Sequence, residues 1–156
     1  MGKTFWADLL EGHKAEEYIC SELKGEFPTL HTVEGKNIHY DLIDDNGYTI
    51  EVKLDKRSRE TGNVAIEYKH RGVRAGISIS KAKEWAIVYY LKGVGWVWSL
   101  IPTKELRAFL VNNWDFLKKY TNPSDPDKSE IMLIKTEDFA NQFSYYKILD
   151  KQQGIG

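Results

Sequence analysis

A tight turn followed by a strictly alternating segment constrains the fold of this 156-residue chain more than any other feature. The turn, at residues 44–47, ends in Asn46-Gly47, the dipeptide most typical of a two-residue β-hairpin. In residues 48–54, aromatic or aliphatic side chains occupy every second position, and polar side chains lie between them. Because successive strand residues point to opposite faces, this pattern predicts a strand with one apolar face and with Glu51 and Lys53 together on the other.

Further hydrophobic patterns predict more strands, with helices before, between and after them. Helices are predicted within residues 5–23 and from Thr103 and Thr136, each threonine serving as an N-cap. Extended segments are predicted at residues 27–33, 37–43, 48–54, 64–69, 85–91, 96–101, 131–135 and 145–149. Residues 57–62 are expected to form a loop, and residues 80–84 a short helical piece. The sequence therefore predicts an α/β fold in which helices flank a mixed sheet, with residues 1–156 in a single domain.

Composition and length exclude several classes of protein. Hydrophobic residues make up 42% and charged residues 29% of the chain, a globular balance rather than a disordered one. The single cysteine, Cys20, excludes a disulfide within the chain and is typical of a reducing compartment. No apolar run approaches the roughly 20 residues that span a bilayer. We therefore expect an intracellular, cytoplasmic protein (in the host cytoplasm if the source is viral) with no membrane partner.

Charge is unevenly distributed along the chain. The net charge is −1, but residues 51–92 contain ten basic and five acidic residues, a local charge of +5. A basic block of this kind is typical of a surface that contacts nucleic-acid phosphates. The basic residues that we expect to bind DNA are Lys56, Arg57, Arg59, Arg71 and Arg74. The alternative is a charged face that is merely solvated.

Two carboxylates are expected to meet across the predicted hairpin. Asp41 lies on the preceding strand, where it can reach Glu51, and the backbone carbonyl of Val52 lies between Glu51 and Lys53. Carboxylate and carbonyl oxygens suit hydrated Mg²⁺, for which Mn²⁺ can substitute. Lys53 would then lie beside an attacking water, and Glu67, expected on the next strand, would join the group. The alternative is a surface hairpin with a cross-strand salt bridge.

The order of these features resembles the PD-(D/E)xK nuclease superfamily over residues 12–110. Residues 12–19 look like the first helix of that superfamily, with Glu16 in the place of its glutamate. Asp41 takes the aspartate position, although Tyr40 precedes it where the motif has proline, and residues 51–53 form the ExK motif. Residues 61–67 and 76–85 are similar in layout to small phage-type endonucleases of the superfamily.

The resemblance implies a restriction-endonuclease-like fold and a Mg²⁺-dependent endonuclease that hydrolyses DNA phosphodiester bonds with a metal-activated water. Asp41, Glu51 and the Val52 carbonyl would hold the metal, and Lys53 would position the water. Glu16 and Glu67 would support this network, and Lys81 or Lys83 would touch the scissile phosphate. A Holliday-junction resolvase and a site-specific restriction or homing enzyme share this fold, and both are expected to be homodimers or higher assemblies. A non-catalytic nucleic-acid-binding module is the alternative from another class.

Overall fold

A computed structural model of the chain describes residues 5–10, 12–35, 39–121, 124–126 and 128–149. The elements follow the chain in this order: α1 Phe5–Leu9, α2 Gly12–Glu22, β1 His31–Thr32, β2 Leu42–Ile43, β3 Thr49–Leu54, α3 Ser58–Thr61, β4 Asn63–His70, β5 Val73–Arg74, a 3₁₀ turn Gly76–Ser78, β6 Glu84–Leu91, β7 Gly95–Pro102, α4 Thr103–Asn112, β8 Lys118–Thr121, β9 Ser129–Lys135, α5 Thr136–Phe143 and β10 Tyr146–Lys147. None of the described helices is long and apolar enough to cross a membrane.

The central layer is a six-stranded mixed sheet in the order β1-β2-β3-β6-β7-β10. β2 and β3 form the predicted antiparallel hairpin around residues 44–47, and β6 and β7 form a second hairpin of eight paired residues on each strand. β3 and β6 pair in parallel, with Glu51 opposite Trp85 and Lys53 opposite Ile87. Residues 55–83 connect these two strands, and β4 and β5 lie within that connection.

A second, antiparallel sheet has the order β5-β4-β9-β8. Its strands alternate in burial: Val64, Ile66, Met132 and Ile134 are buried, while their neighbours along the strands are not. Since alternate strand residues point to opposite faces, one face of this sheet lies in the core. The opposite face is turned away from it.

Apolar clusters cover both faces of the six-stranded sheet. On one face, side chains of α1 and α2, including Leu9 and Ile19, pack with Ile50 and Val88. On the other face, the second sheet, α4 and α5 pack over the alternate residues of β6 and β7, around Tyr89. The chain is therefore a single α/β domain whose mixed sheet lies between the opening helices and a layer of mixed elements, which confirms the predicted class.

Some predicted elements differ from the structure. The expected loop at residues 57–62 contains the short helix α3, whose first residue, Ser58, accepts the Tyr90 N–H at its hydroxyl (2.9 Å). Residues 80–83 are not helical, because the Lys83 N–H donates to the Thr49 carbonyl (3.0 Å) and so ties this segment to β3. No hydrophobic pattern predicts β8, whose four residues are all exposed at a sheet edge.

The helix caps and the early strands also differ. Thr103 and Thr136 are the first residues of α4 and α5 rather than their N-caps. The Thr103 hydroxyl instead donates to the Ala82 carbonyl (2.7 Å). The strands predicted at residues 27–33 and 37–43 are reduced to the two-residue strands β1 and β2, and residues 36–38 lie outside the described part of the chain.

Gly76 allows the 3₁₀ turn to press against β4. Its φ is +54°, and a Cβ added there would lie 2.3 Å from the Glu67 carbonyl oxygen. That separation is far inside van der Waals contact, so a residue larger than glycine would force the turn and the strand apart. The close approach fixes the position of Glu67 relative to the loop that leads into β6.

We expect Gly76→Ala to lower the free energy of unfolding by about 1–3 kcal/mol through overpacking, in addition to about 1–2 kcal/mol for the left-handed backbone. Gly72→Ala is the matched control, because Gly72 has a φ of +78° but no atom within 4 Å of the added Cβ. Urea denaturation of both variants measures the difference. Equal losses in the two would show that contact with Glu67 does not limit the side chain at Gly76.

Candidate active site

Three carboxylates from separate elements lie close enough to affect one another's protonation. Glu16 comes from α2, Asp41 directly precedes β2, and Glu51 lies in β3. The Glu16 carboxyl is hydrogen-bonded to the Asp41 carboxyl, and the charges of Asp41 and Glu51 both act on it. We call these residues the carboxylate cluster.

Backbone pairing in the hairpin fixes Asp41. Its N–H donates to the Ile50 carbonyl (2.9 Å), and its own carbonyl accepts the Val33 N–H (3.0 Å). Its side-chain Oδ2 accepts the Val52 N–H at 2.8 Å. Because β2 pairs with β3 only as far as Ile50, the Asp41 carboxylate takes the place that a backbone carbonyl of a longer partner strand would occupy. The sequence spacing predicts Asp41 beside Glu51 but not the contact between the Asp41 carboxylate and the Val52 N–H.

Glu51 and Lys53 share one face of β3, as the alternation predicts. The Lys53 Nζ lies 3.1 Å from the Glu51 Oε1, and the side chains are 50% and 15% exposed, respectively. The Lys53 Nζ also lies 5.7 Å from the centre of the Trp85 ring, within reach of a cation–π interaction. The Trp85 Nε1–H donates to the Ser80 hydroxyl (2.8 Å), which fixes the ring. The ammonium group is therefore held between an anion and an aromatic face, and half of the side chain stays in contact with solvent.

Burial and neighbouring charges raise the pKa values of Glu16 and Glu51. Burial, followed by the charge and hydrogen bond of Asp41, raises the pKa of Glu16 to about 7. Burial also raises the pKa of Glu51, with Lys53 opposing the shift and Asp41 adding to it. Near neutral pH, Glu16 is thus poised between its charged and neutral forms, and a cation placed among these oxygens would favour the charged form.

Glu67 lies on β4, and β4 belongs to the second sheet. β4 does not pair with β3, which pairs with β6 instead. Glu67 nevertheless lines the same cavity as Lys53, a cleft of about 440 Å³ between the two sheets. The residues that we call the cleft are Lys53, Leu54, Asp55, Lys56, Arg57, Ala65, Ile66, Glu67, Gly76, Trp85 and Ile87. Glu67 therefore lies across the cleft from Lys53 of β3.

The structure adds Trp85 and Gly76 to the predicted site. The spacing of the tryptophans indicates core positions, and Trp85 is indeed only 3% exposed, but it also lines the cleft beside Lys53. The register of β3 with β6 places it there, and no local pattern in the sequence reports that register. Gly76 lies between Ala75 and Ile77, a context that does not distinguish it from other turn glycines.

The predicted basic residues separate into groups. Lys56 and Arg57 line the cleft with Lys53, whereas the Arg59 guanidinium lies over the Tyr90 ring at 5.0 Å from its centre. Arg71 and Arg74 lie around β5, at the edge of the second sheet.

Most of these side chains therefore do not form one surface. The Arg74 Nη2 donates to the Ser78 carbonyl (2.7 Å), a contact that holds the turn after β5. Lys81 and Lys83 are exposed in the segment before β6, and Lys83 is tied through its backbone to Thr49, two residues from Glu51. The structure brings only Lys56 and Arg57 of the predicted DNA-binding set into the cleft.

The oxygen donors suit a hydrated cation rather than a site enclosed by side chains. In the described part of the chain, no three His, Cys, Asp or Glu side chains form a group that could hold a metal ion by themselves. The Val52 carbonyl points to the same side as its N–H, toward Asp41, because both groups of a strand residue face the same neighbour. Asp41, Glu51 and this carbonyl fit Mg²⁺, which keeps several waters and needs few protein ligands.

Comparison with models of protein families gives no match, and comparison with curated proteins gives no significant relative. Neither comparison therefore indicates a function for the site, and its geometry is the basis for the proposal below.

The raised pKa of Glu16 predicts a pH-dependent stability. Because the folded chain holds the Glu16 proton up to about pH 7 and the unfolded chain releases it near 4.5, stability falls as pH rises through that window. In EDTA, Glu16→Gln should therefore raise Tm above pH 7 and leave it unchanged below pH 4.5. Thermal unfolding from pH 4 to 9 measures this difference. The exposed neighbour Glu17, as Glu17→Gln, is the control and should give a much smaller effect; a Tm difference for Glu16→Gln that does not vary with pH would contradict the prediction.

Proposed function

We propose that the chain is a Mg²⁺-dependent endonuclease that hydrolyses DNA phosphodiester bonds, with a restriction-endonuclease-like fold. One observation carries the proposal: Glu16, Asp41 and Glu51 converge beside Lys53. Burial raises the pKa values of Glu16 and Glu51 and so opposes folding, a cost that a merely structural hairpin has no reason to carry. A helix on one face of a mixed sheet and a hairpin bearing Asp41 and Glu51-Val52-Lys53 support the proposed fold.

Each group of the site has a separate role in this proposal. Asp41, Glu51 and the Val52 carbonyl would hold Mg²⁺. The ion, when bound, supplies a Lewis acid that makes water a better nucleophile and offsets charge on the phosphate. Lys53 would orient the attacking water and stabilise the charge that develops on the phosphate oxygens. Glu16, whose carboxyl lies against that of Asp41, would support the network of water around the metal.

The cleft is the proposed place for the DNA strand. Lys56 and Arg57 are exposed at its wall, on the side of Lys53, and can contact phosphates next to the scissile bond. Glu67 would support the water network from the opposite wall. Arg71 and Arg74 lie around β5, at the edge of the second sheet and outside the cleft, so they are not expected to contact these phosphates.

Two narrower functions remain within the same proposal. A Holliday-junction resolvase or a restriction or homing enzyme cuts two strands at symmetric positions, so it needs a second site in a partner copy. An enzyme that nicks or degrades DNA can act as a monomer. Sedimentation in solution, together with cleavage of plasmid, single-stranded and four-way-junction DNA, distinguishes these functions.

We expect Asp41→Asn and Glu51→Gln each to abolish Mg²⁺-dependent cleavage, because each removes a metal ligand. DNA binding should be retained or strengthened, since a negative charge beside the phosphate is lost as well. Plasmid cleavage and binding by gel shift measure the two effects. Asp45→Asn, an exposed carboxylate on the same hairpin, is the matched control and should cut normally. Cleavage at the normal rate by a folded Asp41→Asn or Glu51→Gln chain would refute the proposed metal site.

Lys53→Ala should separate catalysis from binding. All proposed metal ligands are kept, so Mg²⁺ and DNA should bind as before, but cleavage should slow at least about a hundredfold, the usual effect of losing one such electrostatic contact. Lys53→Arg should restore little, because a planar guanidinium carries its charge at a different distance. Single-turnover kinetics and a metal titration test this, and an unchanged rate would leave Lys53 as no more than the salt-bridge partner of Glu51.

A further inference from the structure

The outward face of the second sheet is an open surface with an apolar floor. Cross-strand pairing aligns Ala65, Leu133 and Lys118 in one row. The neighbouring row contains Ile131 and Tyr120, with Glu67 of β4 at its end, opposite Ile131. Ile131 and Leu133 are only half-buried, although both are large aliphatic residues at the centre of the face. We call Ala65, Lys118, Tyr120, Ile131 and Leu133 the outer platform.

The outer platform continues directly from the cleft. It lines a cavity of about 300 Å³ that shares Asp55, Arg57 and Ala65 with the cleft. Arg57 is exposed at the junction of the two. An extended chain that lies along the cleft past Lys53 can therefore pass Arg57 and reach Tyr120 without leaving the surface of the protein.

The charges along this path favour a polyanion. Lys56, Arg57 and Lys118 line the path, against the acids Asp55 and Glu67, whereas Lys53, at the cleft end of the path, is paired with Glu51. The Asp55 carboxylate accepts the Ala65 N–H (2.8 Å) and further backbone N–H groups, so it serves to join β3 to β4. The three cations Lys56, Arg57 and Lys118 therefore outnumber the two acids.

The shape of the outer platform suits a single strand rather than a duplex. The floor spans three strands, which is about 10 Å at the usual strand spacing. Tyr120 lies on the edge strand and is 44% exposed, so one face of its ring is open to a partner. Unpaired bases can stack on an aromatic ring and lie on an apolar floor, whereas the bases of a duplex are already paired and stacked.

We propose that the outer platform binds single-stranded DNA that leaves the cleft, with a base stacked on Tyr120 and phosphates on Arg57 and Lys118. This binding proposal rests on the proposed function, because it assumes that the same strand is cut in the cleft. The nuclease would then act on DNA with an unpaired segment, such as a single strand, a flap or a branch.

Binding of labelled oligonucleotides to the full chain tests the proposal. Fluorescence anisotropy in EDTA, where no strand is cut, compares oligodeoxythymidine of about 15 nucleotides with a duplex of the same length. Tyr120→Ala should weaken binding of the single strand about tenfold, and Tyr120→Phe should not. Lys118→Ala should lower the slope of log affinity against log salt by about 0.7.

The control variant and the duplex make the test specific. Phe116→Ala removes an aromatic side chain that is 86% exposed but does not line the outer platform, so it should leave binding unchanged. Duplex affinity should change less than twofold in Tyr120→Ala. Unchanged single-strand binding in both Tyr120→Ala and Lys118→Ala would overturn the proposal. So would a Tyr120→Ala chain that keeps its affinity for the oligonucleotide but changes from dimer to monomer in sedimentation, since this face would then join two copies.

The two proposals fail separately. Loss of cleavage in Asp41→Asn tests the nuclease function, and it does not involve Tyr120. A chain that binds oligodeoxythymidine through Tyr120 but cuts no DNA would refute the nuclease function and support the outer platform. If the unmodified chain cuts DNA but the Tyr120→Ala variant binds the single strand normally, the nuclease function is supported and the outer platform is refuted.

Discussion

Parallel pairing between β3 and β6 organises the rest of the molecule. Parallel neighbours cannot be joined by a tight turn and need a connection of a dozen or more residues. Here residues 55–83 make that connection, and they carry β4 and β5 into a second sheet that packs over one face of the first. The same pairing sets Glu51 beside Trp85 and Lys53 beside Ile87. The cleft exists because the connection must return across the face on which these side chains lie.

The carboxylate cluster shows where the fold gives up stability. Hairpin pairing and the packing of α2 bring Glu16, Asp41 and Glu51 together, and burial raises the pKa values of Glu16 and Glu51. The ammonium group of Lys53 contacts Glu51 at 3.1 Å. Local conflicts of this kind are expected at functional sites, where chemistry rather than stability decides which residues meet. This electrostatic strain supports the proposal of a cation-binding, phosphate-cleaving site.

The two proposed surfaces share one structural origin. The second sheet buries one face in the core and leaves the other open, and this open face carries Glu67 beside the cleft and Ile131 and Leu133 in the outer platform. Arg57, at the start of α3, lies between them. A strand of DNA cut at Lys53 and held at Tyr120 would thus contact a surface formed mostly by the connection between β3 and β6 and by the strands that pair with it.

The sequence by itself determined the features that depend on neighbouring residues. The Asn46-Gly47 turn and the two-residue period of β3 predict the hairpin, the shared face of Glu51 and Lys53, and the approach of Asp41. The glycine-linked strands β6 and β7 follow from the same kind of signal. Only the tertiary structure decided that β4 lies in a second sheet, that Trp85 contacts Lys53, and that the basic block divides between the cleft and distant edges. These depend on the register between segments far apart in the chain, which is set by how whole faces pack together, so no local period or turn encodes it.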